Sequence, residues 1–413
     1  PTLDFQAGLY FFRIETDTNS RNLYGKDAGA FYATDAQYRP LSTALLQQSL
    51  QNVFSVTNQH PISTSQAVFA QANWKVTDRA TLTAGIRYTR EQKTSITSRY
   101  ATFYDGSPLV STGNTTADAI RSTQTGTAYT GIIGEPIDDG AVSWLINPSY
   151  EVTDDILLYA SASGGGKSGA VAFDNNGTRR NVRPEKTTDF ELGVKGAFFD
   201  KHLSISANLY WTKVRDYQAT TSIEDATSST GYSSVLGNIP ALRARGVELD
   251  GVLQINHDFA ITFGGAYNDA TYTDWSTATC PRSYPTSVLF CNNTGKQLVG
   301  APKWTAIIGF DFRHELIPGL AIHAFANDTY RSSHNLEQLL SPYGWQKAYQ
   351  LTDAGIGFQT RIRGAETELS VVAKNLFDTQ YTTSVNDFSN NAPVGYDGIG
   401  ARRYVGALLR TKF

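Results

Sequence analysis

Between Gln66 and Val76, the residues Val68, Ala70, Ala72, Trp74 and Val76 fall on one side of an extended chain, and Gln71, Asn73 and Lys75 on the other. The polar turn Thr77-Asp78-Arg79 follows, after which Leu82, Ala84, Ile86 and Tyr88 alternate with Thr81, Thr83, Gly85 and Arg87. Alternation at period two marks a strand with unlike faces, and two such runs around a short polar turn predict a hairpin. The unit returns along the chain. Val142, Trp144, Ile146, Tyr150 and Val152 lead into Thr153-Asp154-Asp155 and a strand through Tyr159. Phe190, Leu192, Val194 and Phe198 oppose Asp189, Glu191 and Lys195; past Asp200-Lys201, Leu203, Ile205, Ala207, Leu209 and Trp211 oppose Ser204, Ser206 and Asn208. Val247, Leu249, Leu253 and Ile255 oppose Glu248, Asp250 and Gln254, and a turn at Asn256 leads to Phe259, Ile261 and Phe263. Trp304, Ala306, Ile308, Phe310 and Phe312 oppose Lys303, Thr305, Asp311 and Arg313, then Pro318-Gly319 feeds Leu320, Ile322, Ala324 and Ala326. Ala354, Ile356 and Phe358 precede Leu369, Val371 and Ala373, and the last run is Val405, Ala407, Leu409 and Phe413. With Leu3, Phe5, Ala7, Leu9 and Phe11 at the start, the pattern predicts an antiparallel all-β chain of about fourteen strands.

A soluble β-sandwich also alternates, so the phase of the pattern has to be set by other features. Connections of a few residues take turns with long ones, as between Ile14 and Ser63 or Glu91 and Val142. Short turns at one end and long loops at the other characterise outer-membrane barrels. Aromatic residues on the apolar phase also mark two levels. Trp74, Tyr150, Phe198, Phe259, Phe312, Phe358 and Phe413 lie near short turns or the last residue, and Tyr88, Trp211, Tyr267 and Trp304 stand at the opposite ends of their strands. From Trp304 to Phe312 the height is roughly 20 Å at a tilt near 40°, close to the ~25 Å apolar band of a barrel with two aromatic girdles. Finally, the other phase carries Arg87, Glu191, Lys195, Glu248, Asp250, Lys303 and Asp311. Such groups are costly against lipid and ordinary in a wet lumen. The expected fold is therefore a transmembrane β-barrel with these seven residues facing the lumen.

Composition agrees. Only 18% of residues are charged and the net charge is −3, which gives no electrostatic footprint for nucleic acid. No run of about 18 apolar residues occurs, which excludes helical membrane spans. Mean hydropathy is −0.30, as alternating strands allow. Met is absent and the first residue is Pro1, so the chain is expected to be a processed product or an incomplete one. Cys280 and Cys291 lie close together in a polar stretch and suggest one local disulfide in an oxidising compartment.

Several segments resemble TonB-dependent outer-membrane receptors. Arg183-Pro184-Glu185-Lys186, followed by Phe190-Glu191-Leu192-Gly193-Val194-Lys195-Gly196, resembles a recurrent strand of that family, and Ala373-Lys374-Asn375-Leu376-Phe377-Asp378 with Tyr381 resembles its C-terminal region. Phe69-Ala70-Gln71 through Trp74 and Leu82 to Arg90 are similar too, and Phe413 matches the C-terminal aromatic residue that serves as an assembly signal. The resemblance implies a 22-stranded barrel closed by an N-terminal plug domain. It implies further that residues 1–413 form the C-terminal portion of that barrel, with the earlier strands and plug upstream or, as an alternative, in a separately encoded partner chain. Its other implications are outer-membrane lipid and lipopolysaccharide as surroundings, and energy coupling to the TonB complex through a plug this chain does not supply. The substrate would be scarce, most often a ferric siderophore. A self-closing 14-stranded passive channel and a non-transporting surface adhesin or structural barrel are the alternatives. In the first, Leu3 to Phe11 would pair with Tyr404 to Phe413.

Other motifs carry less. Ser161 through Ser168 approaches a phosphate-binding loop, but the first glycine is replaced by Ser161 and no amphipathic helix follows, so no helix N-terminus could hold phosphate. Asp174-Asn175-Asn176-Gly177 lacks the carboxylates of a calcium loop and is expected to be a surface turn. Asn114-Thr115-Thr116 and Asn292-Asn293-Thr294 match glycosylation acceptors, a reading without content in a bacterial outer membrane. The six histidines make no ligand spacing, and nothing nominates a nucleophile. No enzyme activity, metal or cofactor is expected. Ligand contacts are expected on the long loops, from Tyr32, Tyr38, Arg39, Tyr100, Tyr104, Tyr129, Tyr232, Tyr330, Arg331, Tyr343, Trp345 and Tyr396. Aromatic rings stack on aryl groups or sugars, and arginines pair with carboxylates or catecholates.

Overall fold

A computed structural model of the chain describes residues 2–33, 35–126, 129–133, 136–173, 179–224, 232–281, 284, 288, 290–386 and 396–412. Fourteen strands follow one another as a continuous antiparallel wall. They are β1 (Leu3–Glu15), β2 (Val53–Lys75), β3 (Ala80–Phe103), β4 (Ile137–Thr153), β5 (Ile156–Lys167), β6 (Glu185–Phe198), β7 (Leu203–Glu224), β8 (Tyr232–Asn256), β9 (Phe259–Asp274), β10 (Trp304–Ile317), β11 (Leu320–Arg331), β12 (Tyr349–Ile362), β13 (Ala365–Lys374) and β14 (Tyr404–Lys412). The hairpins β2–β3, β4–β5, β6–β7, β8–β9, β10–β11 and β12–β13 close through short turns at one end. Local chemistry fixes these turns. Thr77 Oγ1 accepts from the Ala80 amide at 2.9 Å. Gly319 and Gly364 take φ of 84° and 87°, a region glycine enters without a Cβ penalty.

The wall is apolar on the outside. In β4, Val142, Trp144, Ile146 and Tyr150 are exposed, Ile146 at 49%, whereas Ser143, Asn147 and Ser149 between them are half-buried. A water-soluble sheet buries the opposite set. The phase is kept across strands: Ala84, Ile146, Ala162, Phe190 and Trp211 are successive lateral partners in one row over five strands. Leu9, Ile86, Leu192, Leu209, Ile356, Leu369, Val371 and Leu409 are all exposed. An apolar surface of this extent needs a nonaqueous neighbour. These side chains point outward and do not meet across a dry interior.

Rings compensate for glycines on neighbouring strands. Trp144 lies over Gly164 on the outer face, where a Cβ would sit 2.5 Å from its Nε1; Tyr159 lies over Gly193 on the inner face, with 2.3 Å to its Cζ. Each ring covers backbone that would otherwise be bare. Of the short-turn girdle, Trp74, Tyr150, Phe312 and Phe358 are exposed, while Phe198 and Phe259 are half-buried. At the other level Tyr267 and Trp304 pair laterally with ring centroids 4.7 Å apart. Phe413 lies outside the described residues.

Two long connections differ from expectation. The segments between Ile14 and Ser63 and between Glu91 and Val142 are not mainly loop. β2 and β3 run on past the upper girdle and pair as far as Val53 with Phe103, and the strand Thr18–Leu23 adds to β2. Helices α1 (Ala28–Tyr32), α2 (Asp35–Tyr38), α3 (Thr43–Leu50) and α4 (Thr115–Thr125) complete this region. Above the lipid no outside solvent demands apolar side chains, so the strands continue without the alternation that betrays them lower down. Tyr24, Leu46, Leu50, Val53 and Ile120 form a small dry core there. Val214, Ile239, Leu242, Tyr272 and Trp275 form a second above β7–β9. Among the described residues β1 pairs in the wall with β2 alone and β14 with β13 alone, so the pairing demanded by a self-closing 14-stranded channel is not made.

Candidate functional site

Side chains between the outward rows share the inner face, and there they bond one another. Glu191 accepts from the Tyr159 hydroxyl, and Lys195 Nζ stands 5.6 Å from the centre of the same ring. Glu248 accepts from Asn208 Nδ2 at 3.2 Å. Arg87 lies over Tyr10, 4.9 Å from its ring centre. Asp250 lines a recess with Lys195 near the short-turn end, and Lys303 immediately precedes β10, its carbonyl accepting from the Asn268 amide. Asp311 and Glu368 hold His323 between them, each at 3.0 Å. The pairing of His323 is not legible in the spacing of the histidines because its partners sit on β10 and β13, brought to it only by the register. Six of the seven expected inner-face residues thus lie within wall strands on the polar phase, with Lys303 at an entrance to one.

At the long-loop end the candidate contacts separate into groups. Tyr32 packs against the first small core and meets Phe31 and Tyr24 edge-on. The Tyr104 hydroxyl donates to the Tyr24 carbonyl at 3.0 Å. Both therefore brace the cap. Tyr38 and Arg39 are exposed at its surface. Tyr100 belongs to β3, where it pairs with Val56, not to a loop. Tyr330 is likewise a wall residue of β11; it pairs with Ala306 and faces outward as part of the upper aromatic level. Arg331 ends the same strand on the inner phase. Tyr129, Tyr232 and Tyr396 lie in strands whose side chains there fall outside the described set.

Tyr343 and Trp345 form the best-presented pair, 58% and 50% exposed. Their loop is held by its own polar groups: Asn335 Nδ2 donates to the Ser341 carbonyl at 2.8 Å, and Glu337 accepts from the amides of Leu339 and Ser341 at 2.8 and 3.0 Å. The buried Asn335 and Glu337 therefore fix a turn that displays two rings to solvent. A fixed exposed ring loses little entropy on binding. Nearby, Cys280 and Cys291 are bonded, as expected. They close a loop whose base is the buried Trp275, whose amide donates to Thr294 Oγ1. Among the described residues no group of three His, Cys, Asp or Glu side chains could hold a metal ion.

Asn375 and Asp378 show what the segment Ala373–Asp378 does. Asn375 Nδ2 donates to the carbonyls of Thr379 and Ala401, and Asp378 receives Arg402 Nε at 2.8 Å and the Arg403 amide at 2.9 Å. The Arg402 guanidinium holds the Asp378 carboxyl well below the usual carboxylate range. Both residues adopt positive φ. The segment is a clamp joining the upper ends of β13 and β14. The glycines Gly164, Gly165 and Gly166 lie within β5, consistent with a strand and not a phosphate loop; Asp174 to Gly177 lie outside the described residues.

Residues 2–398 match the family model described as TonB dependent receptor-like, beta-barrel. Among solved structures, the chain is similar to the ferric yersiniabactin uptake receptor FyuA from Yersinia pestis, with TM-score 0.69 and 17% identity over 100% of this chain and 52% of that one. It is also similar to the siderophore receptor PiuA from Acinetobacter baumannii, with TM-score 0.65 and 16% identity over 99% and 53%. The copper transporter OprC gives TM-score 0.54 and 15% identity over 87% and 53%. The chain thus spans about half the length of each. Comparison with curated proteins finds none that matches.

Proposed function

This chain belongs to the TonB-dependent receptor family, as part of its β-barrel, and from that premise we propose that it forms the wall and rim of a receptor in the outer membrane of a Gram-negative bacterium. The receptor takes up a scarce substrate, with a ferric siderophore as the favoured class. The observation that carries this reading is the inverted burial of the wall. Apolar side chains such as Ile146 and Leu192 face outward, and charged ones such as Glu191 and Glu248 line the inside. Such a wall suits lipid outside and a hydrated solute path within.

Substrate capture falls to the rim, where Tyr343 and Trp345 offer rings to an aryl or catecholate ligand and Arg331 offers charge at the inner edge. Tyr38 and Arg39 carry the same chemistry on the cap above β2 and β3. The siderophore class is supported by the uptake receptors among the similar structures, although the copper transporter has the same fold. Inward passage is driven by the TonB complex acting on a plug domain, a role the wall strands cannot fill.

Binding and uptake of labelled ferric siderophores by whole cells test this reading. The expected result is saturable binding that survives removal of TonB, together with accumulation that does not. Tyr343→Ala with Trp345→Ala should weaken binding by about tenfold, two lost aromatic contacts at roughly 0.5–1.5 kcal/mol each. Absence of binding for catecholate, phenolate and hydroxamate siderophores alike would sink the substrate assignment.

A further inference from the structure

Register places five cations on the outer face, one at the upper aromatic level and four just above it. Trp211 and Arg245 are lateral partners, as are Lys213 and Arg243, and Lys186 and Arg215. Since Phe190, Trp211 and Val247 face outward, Lys186, Lys213, Arg215, Arg243 and Arg245 do so as well, by the two-residue period of their strands. Lys213 and Arg215 stand two and four residues beyond Trp211, roughly 5 to 10 Å higher at a tilt near 40°. That is the headgroup layer of the leaflet on the long-loop side.

Among the described residues, the carboxylate that pairs with these cations is Asp269, which receives Arg245 Nε at 3.0 Å and Arg243 at 3.2 Å. Among the described residues no carboxylate pairs with Lys186, Lys213 or Arg215, and Arg243 Nε is buried without an acceptor. Two outward cations elsewhere above the girdle are paired with a carboxylate, Arg13 with Glu15 and Arg90 with Asp138, and Arg21, bonded to Asn19, stands apart from other cations. Like charges gathered at a low-dielectric boundary repel one another, so this patch calls for an external anion. Directly beneath it, on the lipid side, is an apolar recess of about 520 Å³ lined by Ile146, Pro148, Ala162, Leu192 and Leu209 under the rings of Phe190 and Trp211.

From this juxtaposition we infer that the outer face of β6–β8 holds a phosphorylated glycolipid of the outer leaflet. Its phosphates meet the arginines and lysines, and an acyl chain occupies the recess. Arginine pairs with phosphate through two parallel hydrogen bonds, and an acyl chain fills the groove that the small Ala162 leaves between larger neighbours. The inference rests on the outer-membrane reading above, which sets the leaflet.

The test uses the protein extracted from outer membranes in mild detergent. Native mass spectrometry would follow retained glycolipid and titrate rebinding of bis-phosphorylated lipid A, its phosphatase-treated form and inorganic phosphate. Each neutralised cation should weaken binding about fivefold, so Lys213→Gln with Arg215→Gln and Arg245→Gln should cost roughly a hundredfold. Arg90→Gln with Asp138→Asn, a neutral pair on the same face, should leave binding unchanged. Equal affinity for the phosphatase-treated lipid, full displacement by inorganic phosphate, or an unaffected triple variant would each overturn the assignment. Absence of the protein from the outer-membrane fraction would instead overturn the reading on which it rests.

Discussion

Leu249→Arg puts the orientation of the wall to a quantitative test. Leu249 is 42% exposed and pairs with Ala207, which lies midway between Leu203 near the short turn and Trp211 at the upper girdle. An arginine there would enter the middle of the apolar band. At the midplane of a barrel this costs about 2–4 kcal/mol, a shift of roughly 30- to 700-fold in the folding equilibrium. At an exposed position facing water the same change stays within about ±0.5 kcal/mol. Ser206→Arg is the matched control on the inner face, where Ser206 lies between Lys195 and Asp250 and the added charge meets water and a carboxylate. Equilibrium unfolding in guanidinium, with the protein folded into short-chain phospholipid vesicles, gives both values. Destabilisation of about 2–4 kcal/mol for Leu249→Arg and near zero for Ser206→Arg is expected. Equal effects, or a change under about 0.5 kcal/mol at Leu249, would refute the lipid-facing assignment.

Other perturbations act on the caps at the long-loop end and should leave the wall alone. Arg121 is buried and donates to the carbonyls of Ser49, Gln48 and Val110 at 2.7, 2.5 and 2.5 Å. Arg121→Ala strands those acceptors and should cost about 3 kcal/mol, seen as roughly hundredfold faster amide exchange in α3 and α4 with unchanged exchange in β6–β9. Ser111 and the Thr112 amide, by hydrogen bonding, hold the Asp118 carboxyl below its ordinary value of 3.8. The stabilisation is therefore complete above that value and is lost as pH falls through the lower folded-state value. Amide exchange around α4 should quicken below about pH 4, and Asp118→Asn should abolish that dependence. Cys280→Ala with Cys291→Ala opens a loop spanning a separation of 11 residues. A closure of this length is worth about 3 kcal/mol, so limited proteolysis should cut the loop faster while thermal unfolding of the wall stays unchanged.

What the sequence reveals and what it hides follow from where solvent and lipid act. In the band, lipid demands an apolar residue at every second position, so β4, β7, β8 and β10 can be read directly from the sequence. The short turns are legible too, because Pro318-Gly319 and Thr77-Asp78-Arg79 encode their own geometry. Beyond the girdle that demand ceases. Val53 to Ile62 and Lys93 to Phe103 pair as strands without alternating, and their extension is invisible in the pattern. The short helices gave one signal. Asn114 caps α4 by accepting from the amides of Thr116 and Ala117, an N-cap with Asp118 in the first turn, yet the same residues also fit a glycosylation sequence. Tyr32 and Tyr104 look like ligand contacts by residue type and prove to be braces, a distinction that needs neighbours. The His323 cluster and the cations of β6–β8 are assembled from several strands and emerge only when register is known.

Nitroxide labels placed singly from Gly246 to Leu253 of β8, in the protein reconstituted into lipid bilayers, examine the orientation of the wall most directly. Collision rates with oxygen, which concentrates in lipid, and with a polar nickel complex in water would be measured at each site. The odd positions Val247, Leu249, Gly251 and Leu253 should favour oxygen, and the even positions Gly246, Glu248, Asp250 and Val252 the nickel complex, at a period of two. Comparable nickel access on both phases, or protection from both reagents at the odd positions, would contradict a wall with lipid on one side and water on the other.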